Sequence, residues 1–175
     1  MAAQPGTASP GAPISPQAEA PNVYSEGILA GLVGAGTIAL WFLILDTFRG
    51  RPFYTPTVLG TALFRGLEAL SEPEQLPASL ELVLSFTWVH VLAFLLIGVG
   101  AARLLALAER EPDFGFGIVL LFVIFEFGFV LISLAFAEPV LHALAWQAVL
   151  VGNLLAAAAM AAVFRVRHPR LMIRP

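Results

Sequence analysis

Four long apolar stretches, at about residues 28–48, 82–108, 114–137 and 140–164, fill most of this 175-residue chain. Each is long enough to cross a hydrocarbon layer about 30 Å thick at about 1.5 Å per residue of helix. Lipid offers no partner for a bare peptide group, so a crossing segment has to satisfy its own backbone, and a helix does so. The expected fold is therefore all-α, a membrane-embedded antiparallel four-helix bundle. His90 and Glu126 fall deep inside the second and third stretches. Ionisable groups at that depth are costly unless paired, so these two invite a functional explanation.

Composition agrees with that fold and narrows the function. Apolar residues make up 59% and charged residues 12%, against about 45–50% and about 25% in an ordinary soluble domain. The length suits a single domain. A net charge of −3 with no basic stripe gives no reason to expect nucleic acid as a partner. The lack of cysteine removes disulfides, thiolate metal sites and cysteine nucleophiles. No phosphate-cradling loop, catalytic triad or zinc-protease motif occurs, so nothing marks the chain as an enzyme. The glycines between Gly31 and Gly36 read as helix packing, not as a dinucleotide loop, because no strand precedes them. All basic residues are Arg and none is Lys, which with the abundant Ala and Gly suggests a GC-rich bacterial source.

Around the spans, residues 1–24 read as a disordered Pro/Ala-rich tail, too poor in apolar surface to order alone and without the basic and apolar regions of a signal peptide. The first span carries small residues every four positions, Gly27, Gly31, Ala35 and Ala39, with Gly34 beside them. Such a seam admits a close neighbour, within the bundle or across subunits. Asp46 lies near the end of this span, where Arg49 or Arg51 is the expected partner. An amphipathic helix is expected over about residues 56–70, interfacial or re-entrant, with Thr55 as its cap and Pro56 as its first residue. Its Thr57, Thr61 and Arg65 share one side, while Leu59, Leu63, Leu67 and Leu70 take the other. Arg103 is expected to snorkel toward headgroups from the end of the second span. The basic segment 167–175 closes the chain. Arginine counting places both termini in the cytoplasm and the protein in a bacterial inner membrane.

Helix rise then serves as a ruler. His90 and Glu126 fall roughly 14 Å and 16 Å from the outer rim and Gln147 roughly 12 Å, while Asn153 lies deeper at roughly 20 Å. Asp46, Glu138 and His142 fall within roughly 5 Å of that rim. His90 and Glu126 could thus meet as a buried pair, serving as a register-fixing clasp, a proton relay or part of a metal site. Glu138 and His142, four apart, share a helix face and add two more candidate ligands for a divalent or transition metal. Asp46, Gln147 and Asn153 are expected in the polar interior of the bundle. Haem is disfavoured because His90 and His142 differ in depth by roughly 10 Å.

Trp41-Phe42 through Asp46, the run Gly50-Arg51-Pro52-Phe53-Tyr54-Thr55-Pro56 with Leu59-Gly60, and Ala145-Trp146 through Gly152-Asn153-Leu154 give the chain a further likeness. On these residues it resembles small bacterial integral membrane proteins with four predicted transmembrane helices, a group that implies no particular activity. Three functional expectations follow. The first is an accessory or structural subunit of a larger membrane complex, with the bilayer and other membrane subunits, or further copies of itself, as partners. The second is a metal- or proton-handling protein using His90, Glu126, Glu138 and His142. The third is a small transporter or channel, for which the polar groups are few.

Overall fold

The computed structural model describes residues 23–110 and 144–167, and in these every regular element is helical. The order is α1 (Val23–Phe48), α2 (Tyr54–Arg65), 3₁₀ turns at Leu67–Leu70 and Pro73–Gln75, α3 (Leu80–Arg110) and α4 (Trp146–Arg167). Three of these, α1, α3 and α4, are long and apolar enough to cross a membrane, which marks the chain as a membrane protein. The expected third span, 114–137, and the first residues of the expected fourth lie outside the described residues.

Helix α1 is the hub, packing against both α3 and α4. Its contact with α3 is set by glycine. A Cβ placed on Gly27 would fall 2.5 Å from the Val99 Cα, and one on Gly31 would fall 3.0 Å from the Leu95 Cα. A Cβ on Gly98 would collide with the backbone of Gly27 and Gly31 in turn. Backbones this close interlock only where neither helix carries a side chain, and close packing of this kind is what holds helices together in lipid. The small-residue seam therefore packs α1 against α3 within one chain. Gly34 sits beside it, facing Phe94 of α3 and Met160 of α4.

Contacts along the helices fix their directions. From the start of α1 toward its end, Gly27, Gly31 and Ala35 meet Val99, Phe94 and His90 of α3 in descending order. Against α4, Gly34 meets Met160, and Trp41 meets Gly152 and donates its indole N–H to the Ala148 carbonyl at 2.9 Å. Both α3 and α4 thus run antiparallel to α1 and parallel to each other.

The connection from α1 to α2 is a tight reversal. The Arg51 N–H donates to the Asp46 carbonyl at 2.9 Å, and Gly50 turns with φ 72°. Phe53 also takes a left-handed conformation, φ 68°, to launch α2. That helix differs from expectation at both ends. It starts at Tyr54 instead of Pro56 and stops at Arg65, where Gly66 at φ 88° diverts the chain into the first 3₁₀ turn. The positive φ at Gly66 is what splits the expected 56–70 helix into a helix and a turn.

The faces of α2 are also reversed from a water-surface helix. Thr57 and Thr61 are 1% exposed, whereas Leu63 and Phe64 are 53% and 50% exposed. The threonines go inward because they carry their own acceptors. Thr57 donates to the Phe53 carbonyl and Thr61 to the Thr57 carbonyl, each at 2.8 Å. Gly60 lies against the backbone of Leu82, bringing α2 onto the start of α3. A small apolar core of Tyr54, Val58, Leu70 and Leu144 joins α2 to the residues just before α4. Ser79 caps α3, its hydroxyl accepting from the Leu82 N–H at 3.5 Å, while its own N–H reaches the Thr57 hydroxyl at 3.5 Å.

Candidate functional site

Asp46 organises the rim end of the bundle. It sits in the last turn of α1 and is 0% exposed. Its Oδ2 accepts the Thr55 N–H at 2.7 Å and its Oδ1 accepts the Thr55 hydroxyl at 2.9 Å. This corrects two expectations. Thr55 is not the cap but the capped residue, and the hydrogen bonds of Asp46 go to Thr55 instead of Arg49 or Arg51. The physical reason is the reversal between the helices, which lays the open N-terminus of α2 on the side of α1. A carboxylate there satisfies orphan donors and meets the positive end of the helix dipole. The Tyr54 N–H donates to the Arg51 carbonyl and the Thr55 N–H to Asp46, Pro56 has none to offer, and the first bond within the helix runs from the Thr57 N–H to the Phe53 carbonyl.

Arg51 takes a different job. Its guanidinium lies 4.1 Å over the Tyr54 ring and donates to the Leu76 carbonyl at 3.3 Å, tying the 3₁₀ segment back to the start of α2. Burial pushes the Tyr54 phenol above its usual range, with Arg51 pulling against that shift. Asp46, Arg49, Arg51, Tyr54 and Glu74 surround a small rim pocket of about 350 Å³.

A larger cavity of about 500 Å³ runs from Asp46 down between α1 and α3 to His90. The glycine contact pins the other halves of these helices; beyond Ala35 and His90 their side chains line open space. Phe42 and Leu43 of α1 and Phe86 and Thr87 of α3 form its walls, and Phe53, Thr55 and Pro56 close its rim end. Its volume lies within the roughly 300–1,000 Å³ of small-molecule sites. The His90 Nε2 lies 3.2 Å from the Ala35 carbonyl. A carbonyl only accepts, so Nε2 carries the proton, and in the neutral ring Nδ1 is an acceptor. Phe86 and Phe94 flank the imidazole at 5.7 and 4.9 Å between ring centres.

The other expected site residues divide into three groups. Glu126, Glu138 and His142 lie outside the described residues, so His90 is seen here with Ala35 as its partner. Among the described residues, no three His, Asp or Glu groups come together to hold a metal. Gln147 is exposed on α4 instead of interior, and Asn153 is half-buried. Arg103, expected to snorkel, hydrogen-bonds the Tyr24 hydroxyl and lies 4.9 Å over its ring, clasping the end of α3 to the start of α1. Sequence reasoning missed the Asp46–Thr55 cap and the phenylalanines of the cavity. The signal for the first was a carboxylate nine residues before a Thr-Pro step, with Gly50 between them to turn the chain.

No protein-family model matches the chain, and no curated protein or solved structure shows significant similarity to it.

Proposed function

We propose that the protein is an accessory or structural subunit of a larger membrane protein complex, built as a four-span bundle in a bacterial inner membrane with both termini cytoplasmic. One observation carries this reading. Among the described residues, every buried side-chain nitrogen or oxygen already has a hydrogen-bond partner. Asp46 caps a helix, Trp41 ties α1 to α4 and the α2 threonines bond their own backbone. Polar groups spent in this way fasten a scaffold.

Two features add support. Residues 114–137 are apolar and have the length of a further span. Leu84, Trp88, Leu92 and Leu96 recur every four residues along α3 and are all strongly exposed, Trp88 at 78%. This ridge offers neighbouring membrane subunits a knobbed apolar surface on a rigid helix. The test is purification in mild detergent followed by native mass analysis. A stoichiometric membrane partner, lost when Trp88→Ala and Leu92→Ala are combined, is expected. A clean monomer carrying stoichiometric metal would favour the metal-handling reading instead.

A further inference from the structure

His90 brings an unsatisfied acceptor to the apolar cavity between α1 and α3. Its Nε2–H is used by the Ala35 carbonyl, while Nδ1, an acceptor in the neutral ring, has no partner among the described residues. Every sealed side-chain nitrogen or oxygen among these residues has a partner, so an unpartnered Nδ1 on a half-buried ring is an accessible one. Thr87, three residues earlier on the same helix face, also lines the space. Its hydroxyl hydrogen goes to the Val83 carbonyl, which leaves only lone pairs to offer. Asp46 contributes nothing here, being fully buried with both oxygens on Thr55. The remaining walls are apolar, with Phe42, Phe53 and Phe86 among them, and the α1 side runs out to the exposed Leu32, Leu40 and Leu43.

We infer that this cavity takes a neutral lipophilic hydroxyl compound from the bilayer, its O–H donating to His90 Nδ1. Depth and hydrogen-bond balance select this class. His90 lies roughly 15 Å along α3, at a level where lipid supplies no donor of its own. A ligand hydroxyl brings the missing donor, and an apolar or aromatic body suits the walls. A ketone or ether brings acceptors only and meets no free donor in His90 or Thr87. A charged ligand finds no free counter-charge, because the carboxylate of Asp46 is sealed. The cavity volume of about 500 Å³ admits a body of small-molecule size. The inference concerns what lies inside the bundle and stands independently of the subunit reading.

The full chain in lipid nanodiscs provides the test, using tritiated 4-pentylphenol as probe and its methyl ether, 4-pentylanisole, as the match without a donor. Empty nanodiscs correct for partitioning into lipid. One saturable phenol site per chain is expected, with the ether about tenfold weaker, the worth of one hydrogen bond in apolar surroundings. His90→Phe keeps a ring and removes the acceptor, so it should weaken the phenol by about the same factor and bring it level with the ether. Because His90 also bonds Ala35 across the helices, a second variant guards against misfolding. Gly36 borders the cavity, and a Cβ placed on it would meet nothing within 4 Å, so Gly36→Leu extends into the open space without a clash at its root. That variant should fold and lose the saturable site. Absence of a saturable site, equal binding of phenol and ether, or undiminished phenol binding by folded His90→Phe or Gly36→Leu would overturn the inference.

Discussion

Three glycines of α1 should respond to the same substitution with graded and opposite effects. An alanine methyl at Gly31 would lie 2.9 Å from the Phe94 carbonyl carbon and 3.0 Å from the Leu95 Cα, with the Phe94 oxygen closer still. Carbon contacts are most favourable at about 3.5–4.0 Å, so α3 would have to retreat by about half an ångström or more. The obstacle is helix backbone, which cannot rotate away. Overpacking of this kind costs about 1–3 kcal/mol. Against it stands the intrinsic advantage of Ala over Gly in a helix, about 1 kcal/mol. The net expectation for Gly31→Ala is a loss of up to about 2 kcal/mol. At Gly34 the nearest atoms are the Met160 sulfur and the Phe94 ring, side chains with room to adjust, so the loss should be smaller. At Gly36 no atom lies within 4 Å, and Gly36→Ala should stabilise by up to about 1 kcal/mol. Reversible unfolding in mixed micelles, followed by far-ultraviolet circular dichroism, ranks the three. Equal stability of Gly31→Ala and Gly36→Ala would refute the backbone contact between α1 and α3.

Other perturbations have equally definite outcomes. Asp46→Ala strands the Thr55 N–H and hydroxyl and removes the cap of α2, so the same unfolding assay should show a loss of about 2–4 kcal/mol, with Asp46→Asn intermediate. Trp41→Phe keeps the ring contact with Gly152 but loses the bond to the Ala148 carbonyl, a loss of about 1 kcal/mol. The raised pKa of Tyr54 sets an alkaline limit. The folded state holds the phenol proton more tightly than the unfolded chain, so this contribution is whole below pH 10.0 and is lost as pH rises toward the folded value. Tyr54→Phe should remove that part of the alkaline destabilisation in a pH series of unfolding midpoints.

The apolar stretches made α1 and α3 legible and the four-residue spacing of small side chains marked α1 for a close contact, though not with which helix, because helix length and packing in lipid depend on local sequence. Less legible were features that depend on how the chain reverses. Asp46 had two nearby arginines as sequence neighbours, yet the turn through Gly50 brought Thr55 to it instead. The spacing of Thr57 and Thr61 put them on one side of α2 without saying whether that side faces the bundle. In lipid, hydroxyls that bond their own helix pack inward, while Leu63 and Phe64 turn out. Helix rise sets His90 well inside α3, but a side chain cannot announce that its partner is a backbone carbonyl, here that of Ala35. Glu126, its expected partner, lies outside the described residues.

The most direct test of the bundle is the side of the membrane reached by each helix end. The chain has no cysteine, so single cysteines introduced at Glu74, Leu107 and Val166 can be labelled with an impermeant maleimide in sealed vesicles of known orientation. The antiparallel register of α1 with both α3 and α4 predicts that Leu107→Cys and Val166→Cys react from one side and Glu74→Cys from the other. Labelling of positions 107 and 166 from opposite sides, or of all three from the same side, would contradict it.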